Sequence, residues 1–418
     1  MFEVTKLADG IFKLSTDGGG YTVKVIASVG PDGILLVDTG QLATGEALKA
    51  ALQTLLTEQA SQGRGASAGT PAPFGTAGLG GASPKVIINT HSHIEHTAGN
   101  MAFGAGPLII GHENLRARLR SGAYLFDEFP EEALPRLTFS ESMSLRFNGE
   151  EIRLIAFTGA HDNSDIIVWF TKSKVVCVGA LCNGRHFPSV DEETGDVLKY
   201  PETAARVIAA LPEDVRIIPG HGEDCTMEDF RAFQSMLVNT TEVVRRRLAE
   251  GKDADTLKAQ DVLKDWTAFE CSYVDRNEWI DYLVKGLQGK TESEKARRKL
   301  FEPLYYAWKE KGADAAVGLY REMKATQSDS YPFDEMTPLY IAYKLFNSGK
   351  PDASLKFFEL TLSEYPEGQY AYLCHYYLGR IHDQAGDKDL AVQSYRKSLE
   401  LNPDNPKVAQ RLKELEQE

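Results

Sequence analysis

Apolar and polar residues alternate in short runs over the first forty positions, and each run ends at turn-forming residues. Alternation with a period of two is typical of strands that bury one face. The runs therefore predict an antiparallel sheet at the start of the chain. Its strands are predicted at 3–7, 11–14, 21–27 and 34–37, with turns at Asp9-Gly10, Gly18-Gly19-Gly20 and Pro31-Asp32-Gly33.

The pattern then changes to helical spacing. Apolar residues between Ala47 and Leu55 recur every three or four positions, which predicts a helix over 43–59 that lies on the opening sheet. Residues 61–83 consist largely of Gly, Ala, Ser and Thr. Because this composition cannot bury a core, we interpret the segment as a flexible surface insertion.

Strand-like runs alternate with helical stretches between residues 86 and 220. Such alternation indicates an α/β core in which helices cover sheets. A long amphipathic helix is predicted over 227–251, and shorter helices over 254–289. The predicted strands are 86–89, 108–110, 152–157, 166–170, 175–178 and 215–218, with a helix at 204–211.

A repeat marks the last part of the chain. Gly312, Gly349 and Gly386 recur every 37 residues, each at a predicted turn between helices. The segment 377–403 resembles a tetratricopeptide unit in the order of its Leu-Gly, Gly, Ala, Tyr and Pro residues. Since such units bury their apolar faces only by stacking, we expect an all-α tetratricopeptide-like domain, with a plain helical bundle as the alternative. Its expected role is to bind a protein partner or to mediate self-association.

Length and composition agree with two or three globular domains. The chain has 418 residues, of which 42% are hydrophobic and 25% charged, and these are ordinary globular values. No apolar run approaches the ~20 residues of a spanning helix, so no membrane partner is expected. The net charge of −14 repels phosphate backbones and argues against nucleic acid as a partner.

Cysteine usage and the first residues bear on the compartment. The five cysteines are odd in number and lack the paired spacing of a structural zinc site. A disulfide framework is therefore not expected, which agrees with a reducing compartment. The first residues lack the pattern of a secretory signal peptide, and the expected location is the cytoplasm.

A cluster of histidines follows the predicted strand at 86–89. In an extended segment, residues two apart point the same way, so His91 and His93 are placed to hold one metal ion. Glu95 and His96 then turn toward a neighbouring position. Imidazole and carboxylate ligands suit zinc, with iron and manganese as alternatives.

The order of motifs over about residues 1–250 resembles the metallo-β-lactamase superfamily. The matching segments are Val37-Asp38-Thr39-Gly40, residues 91–96 with the pattern HxHxEH, Gly159-Ala160-His161 and Pro219-Gly220-His221-Gly222. The resemblance implies an α/β fold, an αββα sandwich with the metal site at one edge of the two sheets. It also implies that His91, His93 and His161 bind a first metal ion, that Glu95, His96 and His221 bind a second, and that Asp38 orients the cluster.

The resemblance also implies a division of the chain. Residues 1–250 are expected to form the metal-binding hydrolase domain, 251–300 a helical connector and 301–418 the repeat domain.

Two departures from the family pattern concern the second metal. Glu95 stands where the family has aspartate, and Ala180 stands where many relatives have an aspartate that bridges both metals. Without a shared negative charge, two dications a few Å apart repel strongly. We therefore expect one tightly bound zinc ion and a second that binds more weakly.

Cys182, Arg185 and His186, which follow Ala180 in the sequence, are further candidates for residues of the site. Cys182 is a candidate replacement ligand, with a buried small apolar residue as the alternative interpretation. Arg185 and His186 are candidate contacts to substrate, with surface side chains as the alternative.

The resemblance implies zinc-dependent hydrolysis of a small molecule. A metal-bound hydroxide attacks a lactam, lactone, thioester or other ester-like bond, and Glu95 orients that water or accepts its proton. The alternative is a degenerate member of the family that acts as a protein-interaction scaffold through its repeats. An iron-dependent oxidoreductase of the same fold is a third candidate.

Overall fold

The computed structural model describes residues 2–18, 21–61, 83–120, 129–191, 194–289, 292–328, 330–331, 333–403 and 405–417. The predicted insertion at 61–83 therefore lies, apart from its first and last residues, outside the described residues. The described residues form two compact units, one within residues 1–289 and the other beyond residue 290.

The first unit opens with a seven-stranded sheet in the order β1 to β7. Its first four strands pair antiparallel, which confirms the predicted opening sheet, and β4 to β7 pair parallel. The strands are β1 Glu3–Ala8, β2 Ile11–Asp17, β3 Thr22–Gly30, β4 Gly33–Val37, β5 Val86–Ile88, β6 Leu108–His112 and β7 Leu137–Phe139.

A second, five-stranded sheet has the order β12-β11-β10-β9-β8. Only β11 and β12 pair parallel; the other neighbours are antiparallel. The strands are β8 Ser142–Phe147, β9 Glu150–Ala156, β10 Ile166–Phe170, β11 Val175–Gly179 and β12 Arg216–Pro219.

The two sheets face each other across an apolar core. Alternate side chains of each strand point to the same side of its sheet, so each sheet contributes one apolar face to this core. Ile26, Leu35 and Ile88 of the first sheet share one buried cluster with Leu154 and Val168 of the second.

Helices cover the outer faces of both sheets. Leu48 and Leu52 of α1 (Gly45–Ser61) pack on the outer side of the first sheet. On the second sheet the outer layer is formed by α4 (Tyr200–Ala210), α5 (Met227–Ala249), α6 (Ala254–Ala259) and α7 (Arg276–Gln288). Two shorter helices, α2 (Ile94–Thr97) and α3 (Glu113–Arg120), follow β5 and β6. The arrangement is the expected αββα sandwich.

The segment interpreted as a connector, 251–300, packs for much of its length on this sandwich. Leu257, Trp279 and Leu283 are fully buried in the cluster that also holds strand β11. These side chains occur at helical spacing and complete the outer helical layer. We therefore take the first unit to extend to Gly289.

The second unit is all helical, as the repeat predicts. Successive helices pair as hairpins, and the glycines Gly312, Gly349 and Gly386 adopt φ values of 86°, 71° and 81° at the three hairpin turns. Aromatic residues such as Tyr320, Phe357 and Phe358 fill its core. The helices are α8 Glu292–Lys311, α9 Ala313–Thr326, α10 Met336–Asn347, α11 Pro351–Glu364, α12 Ala371–Ala385, α13 Lys388–Leu401 and α14 Pro406–Gln417.

Within the described ranges, no helix of either unit is both long enough and apolar enough to cross a membrane.

Candidate metal centre

The predicted ligands lie at one edge of the sandwich. His91 and His93 follow β5, His161 follows β9, and His221 follows β12. The carboxyl ends of these strands meet at the same edge, so residues far apart in sequence come together there. Among the described residues, three groups have ligand atoms that all lie within 4.8 Å of one another. Two of them hold the predicted ligands: His91 with His93 and His161, and Glu95 with His96 and His221. The third is His161 with Asp162 and Asp165.

The first group is a compact set of three imidazoles. The ring centroid of His93 lies 5.1 Å from that of His91 and 4.3 Å from that of His161. The Nε2 atom of His91 is buried and has no hydrogen-bond partner among the described residues. A buried nitrogen without a partner is costly, and a cation removes that cost.

The second group shows why its histidines suit a metal ion. Nδ1 of His221 lies 2.7 Å from the carbonyl oxygen of Thr22, and Nδ1 of His96 lies 3.0 Å from Oδ2 of Asp38. Both oxygens only accept hydrogen bonds, so both Nδ1 atoms donate. In the neutral rings the two Nε2 atoms then carry lone pairs, and they face each other at 3.1 Å. This arrangement requires a proton or a metal cation between them, and the residues therefore fit a metal site.

Asp38 connects Thr90 and His96 through hydrogen bonds at this edge of the sandwich. Its buried carboxylate accepts hydrogen bonds from the backbone N and the hydroxyl of Thr90, both at 2.8 Å, in addition to His96. Its φ of 61° is unusual for a residue with a side chain. In this conformation the carboxylate faces Thr90 and His96. The contacts agree with the orienting role that the resemblance implies.

Within the first group, the pKa is lowered for His91 and His161 and raised for His93. Burial, followed by the neighbouring imidazoles, keeps the pKa of His91 and of His161 well below the ordinary value. Burial also opposes a charge on His93, but hydrogen bonds with Asp191 and Glu95 outweigh it and raise the pKa of His93 to about 9.

Glu95 is the carboxylate shared by both groups. Its Oε1 lies 3.4 Å from Nδ1 of His93 and 3.7 Å from Nε2 of His221. Burial disfavours its charge, yet hydrogen bonds with His221 and His93 hold the pKa of Glu95 well below its usual range. The longer side chain still reaches the position between the two histidine groups.

Buried acids that the sequence did not single out lie beside the ligands. Oδ2 of Asp191 lies 2.8 Å from Arg118 and 3.7 Å from Nε2 of His93. Oδ1 of Asp165 lies 3.4 Å from Nδ1 of His161. Asp191 lies thirty positions beyond His161 in a loop, and no spacing rule connects the two.

Ala180 and Cys182 lie beside the centre without a described ligand role. The carbonyl oxygen of Ala180 accepts a hydrogen bond from Tyr200, and its methyl side chain offers no ligand atom. Cys182 is fully buried in the core between the second sheet and its outer helices, and its thiol interacts with that of Cys225. Within the described residues, Cys182 belongs to neither ligand group.

Arg185 and His186 line a cavity of about 200 Å³ next to the loop that carries His221. Arg185 is largely exposed and forms an ion pair with Asp229 at 3.1 Å. The His186 ring lies close to Gly222. Burial lowers the pKa of His186. Their contact with a substrate stays a prediction.

Two tyrosines that the sequence did not single out stand against His221. The ring centroids of Tyr21 and Tyr273 lie 5.3 Å and 6.0 Å from that of His221. Tyr273 belongs to the segment that was interpreted as a connector, where no metal-site residue was expected.

Comparison with known proteins gives two matches to models of sequence families. Residues 18–221 match the sequence model of the metallo-beta-lactamase superfamily, and residues 372–405 match that of the tetratricopeptide repeat. Both resemblances are thereby confirmed over these segments.

Individual relatives are distant. A metallo-beta-lactamase type 2 from Bacteroides fragilis is 24% identical over 91 residues, which span 22% of this chain and 36% of that protein. The chain thus matches about a third of that relative's length. Among solved structures, a metallo-beta-lactamase from Pontibacter korlensis is 18% identical with a TM-score of 0.45, covering 57% of this chain and 100% of that one. The DIM-1 metallo-beta-lactamase is 16% identical with a TM-score of 0.41, covering 57% and 98%.

Proposed function

We propose that the chain is a zinc-dependent hydrolase that cleaves an ester-like or amide-like bond in a small molecule. The observation that carries this proposal is the pair of adjoining ligand groups, with the bare Nε2 atoms of His96 and His221 facing each other at 3.1 Å. Iron and manganese are the alternatives to zinc, because imidazole and carboxylate ligands also suit them.

Each residue of the centre has a distinct role in the proposed reaction. His91, His93 and His161 would hold a zinc ion, which would supply a Lewis acid and lower the pKa of a water molecule to about 7. Glu95 lies between the two groups and is placed to orient the attacking water and to accept its proton. Asp38 keeps His96 in the tautomer that presents Nε2 to the site.

We infer unequal metal affinities at the two positions. The first group offers three imidazoles, which suffice for a tight zinc site with one open position. The second offers Glu95, His96 and His221, and Ala180 provides no bridging carboxylate. About one zinc ion per chain is expected to survive dialysis, with a second that binds weakly.

The bond that is cleaved is a lactam, a lactone, a thioester or another ester. The name of the Bacteroides fragilis relative supports a lactam. That match is short, and the other three classes stay in the proposal on the chemistry of the site.

A second candidate function rests on the repeat match at residues 372–405. Stacked helix pairs offer an extended surface for a protein partner or for a second copy of the chain. In the scaffold alternative this surface is the whole function, and the metal centre is without activity.

One experiment separates the two candidates. The dialysed chain is analysed for metals and then assayed, with added Zn²⁺, on a panel of one lactam, one lactone, one thioester and one p-nitrophenyl ester. We expect hydrolysis of at least one class, and His91→Ala to lose the tight metal and at least ~100-fold in rate.

The matched control is His375→Ala, which removes a half-buried histidine from α12 and leaves metal and rate unchanged. Absence of hydrolysis across the panel by the zinc-loaded chain, or equal rates for the parent and His91→Ala, overturns the hydrolase proposal in favour of the scaffold.

A further inference from the structure

The tyrosines beside His221 form an aromatic wall, which we define as Tyr21 and Tyr273. Tyr21 lies at the turn between β2 and β3, and Tyr273 lies in the loop before α7. Their ring centroids are 5.8 Å apart with the planes inclined at 70°, and both rings meet His221. Both side chains are half-buried, so each keeps part of its surface exposed.

The loop that carries Tyr273 is fixed against the loop that follows β11. The backbone N of Phe187 donates to the carbonyl oxygen of Phe269 at 2.6 Å. The Phe187 ring also stacks on Trp279 of α7, with centroids 5.8 Å apart. A further hydrogen bond, from the N of Cys271 to the carbonyl oxygen of Val274 at 3.1 Å, closes the turn around Tyr273. The phenol is therefore positioned by a rigid support.

Asn183 places the hydroxyl of Tyr273. Its Nδ2 donates to the Tyr273 hydroxyl at 3.3 Å. The thiol of Cys271 forms a second hydrogen bond with the same hydroxyl. Asn183 is only 1% exposed, and its Oδ1 has no hydrogen-bond partner among the described residues. Whichever way the amide is turned, one of its polar atoms lacks a partner. Buried amides are normally satisfied, so this one points to a missing hydrogen-bonding group at the site.

We propose that Tyr273, held by Asn183, orients the substrate of the metal centre, and that the aromatic wall selects substrates with an aromatic group on the carbonyl side. This inference rests on the proposed hydrolase function. The two rings offer an aromatic group edge-to-face contacts, and the Tyr273 hydroxyl offers a hydrogen bond to a substrate oxygen. The Tyr273 ring also packs against the core between the second sheet and its outer helices, which supports it from behind.

The binding test uses the full chain loaded with Co²⁺, whose absorption spectrum reports ligands that reach the metal. Phenylacetate and acetate are titrated as probes that share a carboxylate and differ in the ring. We expect the parent to bind phenylacetate more tightly than acetate, and Tyr273→Ala to reduce that preference about tenfold. Tyr273→Phe keeps the ring and retains the preference, but weakens both probes because the hydroxyl is lost.

The activity test uses acetyl and phenylacetyl versions of the substrate class that the chain hydrolyses. Tyr273→Phe is expected to lower kcat/KM about tenfold on both versions, and Tyr273→Ala to raise KM for the phenylacetyl version in particular. Tyr282→Phe is the matched control, because it removes a hydroxyl from α7, next to Trp279 and away from His221. It is expected to change neither measurement.

The outcomes separate this inference from the function on which it rests. Hydrolysis that is unaffected in both Tyr273 variants overturns the inference and leaves the hydrolase proposal standing. A ring preference that depends on Tyr273 in a chain without hydrolytic activity supports the inference and overturns the function. Equal binding of both probes by the parent, or loss of Co²⁺ from Tyr273→Phe, overturns the assignment to substrate.

Discussion

At the scale of single residues, hydrogen bonds outside the metal centre determine what its ligands can do. The carbonyl oxygen of Thr22 and the carboxylate of Asp38 each accept a hydrogen bond from Nδ1 of an imidazole, and this directs Nε2 of His221 and of His96 toward the metal centre. His93 is different, because acids lie near both of its nitrogens. His93 therefore holds a proton more readily than His91 and His161, so the ligands of the first group differ in protonation before a metal ion binds.

The charge on His93 leads to a prediction about metal binding. With a pKa of about 9, His93 is protonated at pH 7.5 in the metal-free chain, whereas a metal ion binds only neutral imidazole. Binding of Zn²⁺ at pH 7.5 is expected to release about one proton from this residue. Apparent affinity is expected to rise about tenfold per pH unit as the pH approaches 9. Calorimetric titration in buffers of different ionisation enthalpy measures the released proton.

The control for this prediction is Asp191→Asn. The amide removes a charge 3.7 Å from Nε2 of His93, so the pKa of His93 falls and fewer protons are released at pH 7.5. A parent chain that binds Zn²⁺ without releasing a proton at this pH contradicts the prediction.

The residues that the sequence identified and those it missed differ in a physical way. His91, His93 and Glu95 stand in one short segment, so local geometry alone places them together. Asp191 and Tyr273 reach the centre only through the packing of loops and helices far along the chain. No local spacing encodes such contacts, and a sequence read without a structure has no signal for them.

At the scale of elements, the buried strands were predictable, whereas two exposed edge strands, β7 and β8, were not. The strands β3, β4 and β11 are almost wholly buried, so their apolar runs mark them clearly. Strands β7 and β8 expose at least half of their residues and are absent from the predicted set. The helices between 254 and 289 were predicted, but amphipathic spacing does not say which surface a helix covers. Their place on the second sheet is a property of tertiary packing.

Trp279 of α7 tests that packing. It is fully buried, stacks near Phe187, and donates from Nε1 to the hydroxyl of Thr240 at 2.9 Å. Trp279→Ala is expected to lower the free energy of unfolding by about 3–5 kcal/mol, since it leaves a large cavity and removes the hydrogen bond to the Thr240 hydroxyl. Denaturant unfolding of the full chain, followed by the signal of the first unit, measures the change.

Trp266→Ala provides the matched comparison. Trp266 is only partly buried against the same core, and its removal is expected to cost less than half as much. Equal losses for the two variants would mean that α7 is not an integral part of the sandwich.

At the scale of the whole molecule, the two units have separate cores. The buried cluster around Trp279 contains residues up to Leu283, and the cluster of the helical unit begins at Leu300. All six proposed metal ligands belong to the first unit. This separation supports a modular chain in which the repeats serve a partner or a second copy rather than the chemistry.

A chain that ends at Gly289 tests this modular arrangement. It keeps Tyr273, Trp279 and every proposed ligand, and it is expected to fold, to retain its tight zinc ion and to match the full chain in hydrolysis within about twofold. Any self-association of the full chain, measured by light scattering after gel filtration, is expected to be lost. A chain that ends at Gly251 is the control, because it lacks Trp279 and exposes the apolar outer face of the second sheet, and it is expected to aggregate. If the chain ending at Gly289 also aggregates or releases zinc, the helical unit must contribute to the stability of the metal-binding unit, and the modular arrangement is wrong.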